Sequence, residues 1–331
     1  MAEQIRRTVV QRRNDPYIYL YVMGEWYCYN PSEPPLGSGA MGDVYRGYRC
    51  KNSSYIAVKR VKDCYANMPM IRERARQEAS LAFRHPNLVE MIGYCEVAPD
   101  NGPIFLLSHY VQGEEIDKYV SFLNDSPNRV EKIAKAMCSV LDALDYIHSR
   151  GVIHRDIKPS NIMVENGSNV RLMDLGISRM NGGNKYSTVG FIGTPQYSAP
   201  EQIKRNEGWS INATTDFYEL GITFYELLTG VNPFDSSSEA ETLEKQLKDK
   251  LPSNSIIPDK LMRVIWKATE KDQSKRFQFA SEFKKAIEDS FIPDPSTFEK
   301  MKLWIENNIF TLVIAMVVLF AFIFVVIIIS V

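Results

Sequence analysis

One short stretch decides how this chain is interpreted: residues 154–161 read HRDIKPSN. It places a carboxylate, Asp156, two residues before the cation Lys158 and five residues before the amide Asn161. A carboxylate can take a proton, an ammonium can neutralise an anion, and an amide oxygen can bind a hard cation. The stretch therefore indicates a centre of chemistry rather than a structural turn.

Two further motifs follow residues 154–161 along the chain, and one motif precedes them. Residues 174–176 read DLG and residues 193–201 read GTPQYSAPE. Residues 37–44 read GSGAMGDV, a glycine-rich pattern in which backbone amides can approach phosphate groups without a Cβ in the way. No Gly-Lys-Ser/Thr closes this loop, so it is not a Walker A motif. Fifteen residues after the loop, Lys59 ends an apolar strand.

The residue types in these motifs suit phosphoryl transfer. That reaction needs a carboxylate to take the hydroxyl proton, oxygen ligands for magnesium and a cation to orient the nucleotide. Asp156, Asn161, Asp174 and Lys59 supply that set.

In this order and spacing, the motifs resemble those of the eukaryotic-type serine/threonine protein kinase family. The resemblance covers about residues 36–290. Lys158 and Thr194 are similar to the residues typical of serine/threonine kinases rather than tyrosine kinases. The resemblance implies ATP and Mg²⁺ as cofactors and protein serine or threonine hydroxyls as substrates.

The resemblance also implies a role for individual residues. Asp156 would be the catalytic base, assisted by Lys158, Lys59 and a helix glutamate, and Asn161 and Asp174 would bind Mg²⁺. Ser108 falls at the gatekeeper position of the hinge. The implied ATP-binding residues are Leu36, Gly37, Ser38, Gly39, Gly42, Val44, Ala57, Lys59, His109, Val111 and Met163. The implied structural residues are Arg155, Thr194, Glu201, which would pair with Arg276, and Asp216, which would brace the catalytic loop.

Some positions depart from the family pattern. The helix glutamate that should pair with Lys59 is assigned to Glu78, although it lies nearer to the following His-Pro-Asn than the family pattern has it; Glu73 is the alternative. Glu219 stands where the family has a small residue. His148 is expected to cap the end of its helix, and His154 to pack rather than act as an acid or base.

The predicted fold is α+β and bilobal, with a small β-rich N-lobe and a large α-helical C-lobe. We expect an N-terminal extension over 1–35, a kinase domain over 36–290 and a juxtamembrane linker over 291–308. In the extension, Tyr17 to Tyr29 predicts a hairpin with a type II′ turn at Gly24-Glu25. Helical spacing of apolar residues predicts helices after residue 128, at 217–230, 259–270 and 279–289.

Residues 309–331 contain no charged side chain, which predicts a C-terminal transmembrane helix. At 1.5 Å per residue this run gives roughly 34 Å of helix, enough for a hydrocarbon core of about 30 Å. The N-terminus lacks a secretory signal, so the kinase domain is expected in the cytoplasm.

Composition excludes several classes of protein. The 39 basic and 40 acidic residues give a net charge of −1, which argues against a non-specific nucleic-acid binder. The five cysteines form no CxxC pair, which argues against a zinc ribbon or a disulfide framework.

Two alternatives remain beside the kinase interpretation. A pseudokinase scaffold would be expected to lack Lys59, Asp156 or Asp174, and a small-molecule kinase would lack the Ala-Pro-Glu segment; all are present. For regulation, Ser187 and Thr188 are candidate phosphorylation sites in the activation loop, with Arg155 as the phosphate ligand. We expect self-association on the membrane to promote this phosphorylation in trans.

Overall fold

The structure is a computed structural model that describes residues 8–39, 41–97, 102–174, 194–204, 210–293 and 297–329. Side chains at 74, 78, 297, 310, 315 and 317–329 lie outside the described part. The chain divides into two units, Met1–Asp289 and Ser290–Val331.

Eleven strands are present in the described residues. They are β1 (Val9–Gln11), β2 (Ile18–Val22), β3 (Glu25–Tyr29), β4 (Gly37–Ser38), β5 (Gly42–Arg49), β6 (Tyr55–Val61), β7 (Met91–Glu96), β8 (Ile104–His109), β9 (Gly113–Glu115), β10 (Ile162–Glu165) and β11 (Asn169–Leu172).

Ten α-helices are present in the same residues. They are α1 (Asp63–Ala66), α2 (Pro69–Ser80), α3 (Ile116–Ser121), α4 (Arg129–His148), α5 (Pro200–Ile203), α6 (Ala213–Thr229), α7 (Glu239–Lys248), α8 (Asp259–Ala268), α9 (Ala280–Ser290) and α10 (Thr297–Ile329).

The small lobe is an antiparallel sheet in the order β1-β2-β3-β5-β6-β8-β7, with β4 paired to β5. The strands β2 and β3 form the expected hairpin, but the expected type II′ turn at Gly24-Glu25 is wrong. Val22 pairs with Glu25, so the two turn residues are Met23 and Gly24, with φ of 49° and 85°. Positive φ at both positions defines a type I′ turn, whose twist matches that of the strands.

The two faces of this sheet bury different partners. One face carries a core to which the N-terminal hairpin contributes Leu20, Val22, Tyr27 and Tyr29. On the other, Val61 and Leu106 pack with Ala75 of α2. The N-terminal hairpin therefore belongs to the same sheet that carries the glycine-rich loop.

The large lobe is built around two helices whose apolar residues recur at helical spacing. The predicted residues of α4, among them Ile133, Met137 and Leu144, are buried. The helix α6 is buried on almost every side; it begins at the cap Asn212 and ends at Gly230, whose φ is 78°. Polar side chains on so buried a helix need partners, because an unpaired buried polar group is costly.

The second unit contains α10. Within the part of the chain that the structure describes, no helix combines the length and the apolar character that crossing a membrane requires. The transmembrane assignment of 309–331 thus stays a prediction.

Candidate active site

The glycine-rich loop connects β4 to β5. The Gly39 amide donates to the Gly42 carbonyl at 2.9 Å, and Lys62 Nζ donates to the Gly39 carbonyl at 2.7 Å. A Cβ at Gly42 would lie 2.6 Å from the Arg60 carbonyl oxygen, whereas one at Gly37 would meet nothing within 4 Å and one at Gly39 only the Gly42 oxygen, at 3.7 Å. Packing thus requires glycine at 42, while at 37 and 39 the chain itself has room for a larger residue.

The strand register places the other predicted small-lobe residues on one face of the sheet. Val44 is paired with Lys59 across β5 and β6, and Ala57 is paired with Ser108 across β6 and β8. Directly paired residues share a face, as do residues two apart on one strand. Val44, Ala57, Lys59 and Ser108 therefore line the same face.

The remaining predicted ATP-binding residues border these strands. The Leu36 amide donates to the Val44 carbonyl at 2.7 Å, and Ser38 donates to Asp43. His109 ends β8, Val111 follows it in the connection to the large lobe, and the half-buried Met163 lies on β10.

Lys59 connects the small lobe to the large lobe. Its Nζ lies 2.8 Å from Oδ2 of Asp174, so the strand lysine and the DLG carboxylate meet across the two lobes. The Lys59 ammonium lowers the pKa of the Asp174 carboxyl, which keeps it ionised. Asp174 has a φ of 45°, a strained conformation for a residue with a side chain.

Asp156 lies among polar partners in the catalytic loop. Its Oδ2 is 3.1 Å from Lys158 Nζ, and its Oδ1 is 3.3 Å from the Thr194 hydroxyl. Lys158 also donates to that hydroxyl, at 3.0 Å. Thr194 thus joins the GTPQYSAPE motif directly to the two charged residues of the loop.

Asn161 is oriented by the loop itself. Its side-chain Nδ2 donates to the Asp156 carbonyl at 2.7 Å, and its own carbonyl accepts the Met173 amide at 2.9 Å. The second bond places Asn161 beside the residue that precedes Asp174. An amide oxygen and a carboxylate in this arrangement fit the oxygen ligands that Mg²⁺ prefers.

Asp216, at the start of α6, braces the catalytic loop as expected. Its Oδ1 accepts the Arg155 amide at 2.7 Å, and its Oδ2 accepts the His154 amide at 2.9 Å. Arg155 has a φ of 67°, and these bonds hold the strained backbone in place.

Two histidines lie near Asp216, and only His154 has the role that the sequence predicts. The cap expected for His148 is wrong: its Nε2 lies 2.7 Å from Asp216 Oδ2, because the last turn of α4 points the ring at the buried carboxylate. His154 is fully buried, its Nε2 lies 2.8 Å from the Met173 carbonyl, and burial lowers the pKa of its ring. That environment suits packing, as expected.

Glu201 and Arg276 form the expected pair. Arg276 Nη1 and Nη2 lie 2.7 and 3.0 Å from the two carboxylate oxygens, and both side chains are fully buried. This two-pronged contact fixes the Ala-Pro-Glu segment to the base of the large lobe.

Of the two glutamates of α2 that could pair with Lys59, the structure describes the side chain of Glu73 but not that of Glu78. Glu73 is largely exposed and pairs with Arg76 and Gln77 of its own helix. Glu78 belongs to α2, but its side chain lies outside the described residues. The phosphorylation candidates Ser187 and Thr188 also lie outside them.

Two residues of the site, the buried Glu219 and the half-buried Gln202, were missed as functional candidates. Glu219 accepts the Ile157 amide at 2.7 Å, and Gln202 donates to Glu219 at 2.8 Å. The signal for Glu219 was available, since a carboxylate three residues after Asp216 shares its face of the helix.

Comparison with known proteins agrees with this geometry. A sequence model described as the protein kinase domain matches residues 31–292, so the chain belongs to the protein kinase family. Among curated relatives, the probable serine/threonine-protein kinase SCO3848 of Streptomyces coelicolor is 32% identical over 267 residues, 77% of this chain and 39% of the relative. Serine/threonine-protein kinase PknB of Mycobacterium tuberculosis is 31% identical over 259 residues, 75% and 41% of the two chains. The chain thus spans about two fifths of the length of these relatives.

A solved structure shows the same fold. The crystal structure of the Mycobacterium tuberculosis PknI kinase domain superposes with a TM-score of 0.59 at 25% identity, covering 79% of this chain and 96% of that one.

Proposed function

We propose that this chain is a serine/threonine protein kinase that transfers the γ-phosphoryl group of ATP to hydroxyls of protein substrates. One observation carries the proposal: Lys59 meets Asp174 at 2.8 Å across the two lobes, and Asn161 contacts the Asp156 carbonyl at 2.7 Å and the amide of Met173, the neighbour of Asp174, at 2.9 Å. The family and the curated relatives support the same activity.

The residues divide the reaction between them. Asp156 Oδ1 already accepts a hydrogen bond from the Thr194 hydroxyl, so a substrate hydroxyl can donate to the same oxygen and lose its proton there. Lys158, beside Asp156, stabilises the negative charge that develops on the transferring group. Lys59 orients the nucleotide phosphates once they replace Asp174 as its partner.

Asn161 and Asp174 would hold Mg²⁺, which when bound neutralises charge on the phosphates. Their oxygen donors fit a hard divalent cation, and the Asn161–Met173 bond fixes their positions relative to each other.

The test is phosphate transfer by the full-length protein from labelled Mg²⁺-ATP to a general protein substrate. Asp156→Asn should lower kcat by about 10²- to 10⁴-fold, as expected for loss of a general base. Asp142→Asn is the matched control, because Asp142 pairs with Lys284 on α9. Equal activity of Asp156→Asn and wild type would refute the role of Asp156. A wild type that binds ATP without turnover would favour the scaffold alternative, and phosphotyrosine as the main product would contradict the class.

We also propose that residues 309–331 anchor the chain in a membrane, with the kinase domain on the cytoplasmic side. The support is the uncharged run itself and the lysines at 300 and 302 that precede it. Full-length protein should resist alkaline carbonate extraction from membranes, whereas Val317→Arg should release a measurable fraction. Complete extraction of the wild type would contradict the anchor.

We propose finally that phosphorylation of Ser187 or Thr188, in trans between anchored copies, activates the enzyme. The support is Arg155, next to the catalytic aspartate, because a phosphate adds about −1.5 to −2 charge and an arginine can bind it in two places. Ser187→Ala/Thr188→Ala should lower activity on an external substrate, while Ser253→Ala, in an exposed loop, should not. Full activity of the double variant would exclude this regulation.

A further inference from the structure

Three side chains on one face of α6 contact the catalytic loop in sequence. Asp216 accepts the Arg155 amide at 2.7 Å, Glu219 accepts the Ile157 amide at 2.7 Å, and the Thr223 hydroxyl donates to the Ile157 carbonyl at 3.2 Å. All three are at most 1% exposed. Spacings of three and four residues place them on one helical face.

Asp156 lies between the peptide groups that these contacts fix. Asp216 holds the His154–Arg155 peptide group, one residue before Asp156, and Glu219 holds the Asp156–Ile157 peptide group directly after it. The same Asp156–Ile157 peptide group is also held at its carbonyl, which accepts from Asn161 Nδ2 at 2.7 Å. Glu219 and Asn161 therefore hold the two sides of the peptide group that follows Asp156, and with it the backbone that carries the Asp156 carboxylate.

Glu219 also connects the loop to the segment that follows Thr194. Gln202 Nε2 donates to Glu219 Oε1 at 2.8 Å and to the Arg155 carbonyl at 3.2 Å, while Gln202 Oε1 accepts the Ala199 amide at 2.6 Å. The same segment carries Thr194, which contacts Asp156 directly. Gln202 and Glu219 thus form a second, partly buried connection between this segment and the loop.

We infer that Glu219 is a positioning residue of the phosphoryl-transfer site, which acts on Asp156 through the Ile157 amide and depends on Gln202 for its own orientation. The inference rests on the proposed kinase function. A small side chain at 219 could not reach the Ile157 amide, so this chain holds its catalytic loop by a contact that its own glutamate supplies.

The donor and acceptor pattern predicts how exchanges of the pair behave. In Glu219→Gln, one new amide oxygen can still accept from Ile157, but the new NH₂ faces the Gln202 NH₂. In Gln202→Glu, two carboxylates face each other in a buried site. In the exchanged double variant Glu219→Gln/Gln202→Glu, residue 219 donates to residue 202 and both backbone amides keep an acceptor, while the Arg155 carbonyl loses the donor that Gln202 supplied.

The experiment measures kcat and KM for ATP of the full-length wild type, both single variants and the exchanged double variant. We expect each single variant to lose about tenfold to a hundredfold in kcat, the loss typical of a buried hydrogen bond to a charged group. KM for ATP should stay within about twofold, because the contact acts on the loop and not on the nucleotide. The double variant should recover part of the loss, because it restores the contact between 219 and 202 but not the bond to the Arg155 carbonyl. Glu131→Gln, an exposed site on α4, should match wild type.

Amide hydrogen exchange provides a readout that does not depend on activity. Peptides covering residues 154–157 should exchange faster in the single variants and return toward the wild-type rate in the double variant. Should Glu219→Gln fold poorly, Gln202→Ala removes the contact from the half-buried partner without changing α6.

The outcomes distinguish a failure of the role inferred for Glu219 from a failure of the proposed kinase function. Single variants with wild-type kcat and wild-type exchange would overturn the role of Glu219 while leaving the kinase function intact. A double variant that is no more active than either single variant would overturn it as well. A wild type without phosphate transfer would refute the proposed function, and the exchange rates would still decide whether Glu219 holds the loop.

Discussion

The glycine-rich loop and the catalytic loop approach the same reaction from opposite lobes, yet they are held in different ways. The catalytic loop is fixed by buried side chains of α6. Among them, Asp216 and Glu219 accept hydrogen bonds from its backbone amides. The glycine-rich loop is fixed by exposed contacts, such as Lys62 with the Gly39 carbonyl. Buried hydrogen bonds to charged groups are stronger than exposed ones. The catalytic loop is therefore held rigidly, and the glycine-rich loop above it can adapt.

The largest effect should come from removing the brace of the catalytic loop. Asp216→Ala leaves two buried amides and the His148 ring without their acceptor, so we expect a loss of about 3–5 kcal/mol in the free energy of unfolding and no detectable activity. Urea unfolding measures the first effect. Asp142→Ala removes a carboxylate whose partner is a partly exposed lysine and should cost less than about 1 kcal/mol. Equal losses in the two variants would contradict the comparison.

The next effect concerns α2, whose glutamate should orient Lys59. The family resemblance assigns this role to Glu78, whereas Glu73 pairs with Arg76 and Gln77. Glu78→Gln should lower kcat/KM about tenfold or more, and Glu73→Gln should change it little. The reverse result in the same phosphate-transfer assay would assign the pair to Glu73.

Two glycines of the glycine-rich loop distinguish a requirement of packing from a requirement of nucleotide binding. Gly42→Ala forces a Cβ to 2.6 Å from the Arg60 oxygen and should cost about 1–3 kcal/mol of stability. Gly39→Ala has its nearest contact at 3.7 Å, so its stability should change by less than about 0.5 kcal/mol while KM for ATP rises. Thermal unfolding and ATP titration distinguish the two variants. A destabilised Gly39→Ala would show that the glycine-rich loop is packed as tightly as the catalytic loop.

A separate prediction is a pH dependence in a further network of the large lobe. Lys271 Nζ donates to the Tyr218 hydroxyl at 2.8 Å and to the Gln246 carbonyl at 2.7 Å, and burial lowers its pKa from 10.5 to about 7. Between these values the unfolded chain binds the proton and the native chain releases it, so stability rises with pH by at most about 1.4 kcal/mol per unit.

The wild type should therefore gain stability relative to Lys271→Met between pH 7 and 10. Lys275→Met, an exposed neighbour, should run parallel to wild type over the same range. Parallel curves for Lys271→Met would show that Lys271 keeps an ordinary pKa.

The sequence was most informative where a function depends on residues close together in the chain. Asp156, Lys158 and Asn161 lie in one loop, and their spacing alone predicted their proximity. The helices α4 and α6 were equally visible, because apolar residues mark their buried faces.

Features that depend on tertiary contacts were harder to predict. The role of Glu219 requires Gln202 and Ile157, which come from different parts of the chain. The helix α7 went unpredicted because the residues it buries, Thr242 and Gln246, are polar and leave no apolar periodicity. The turn at Met23-Gly24 was misplaced by one residue because a hydrophobic pattern fixes strands better than turn registers.

The N-terminal hairpin has a practical consequence for anyone who expresses this protein. The family match begins at residue 31, and a fragment started there would seem to keep the whole catalytic unit. It would lack β2 and β3, and with them Leu20, Val22, Tyr27 and Tyr29, nearly half of the nine buried residues in that face of the small-lobe sheet. Such a fragment should aggregate, whereas one started before β1 should stay monodisperse in size-exclusion chromatography.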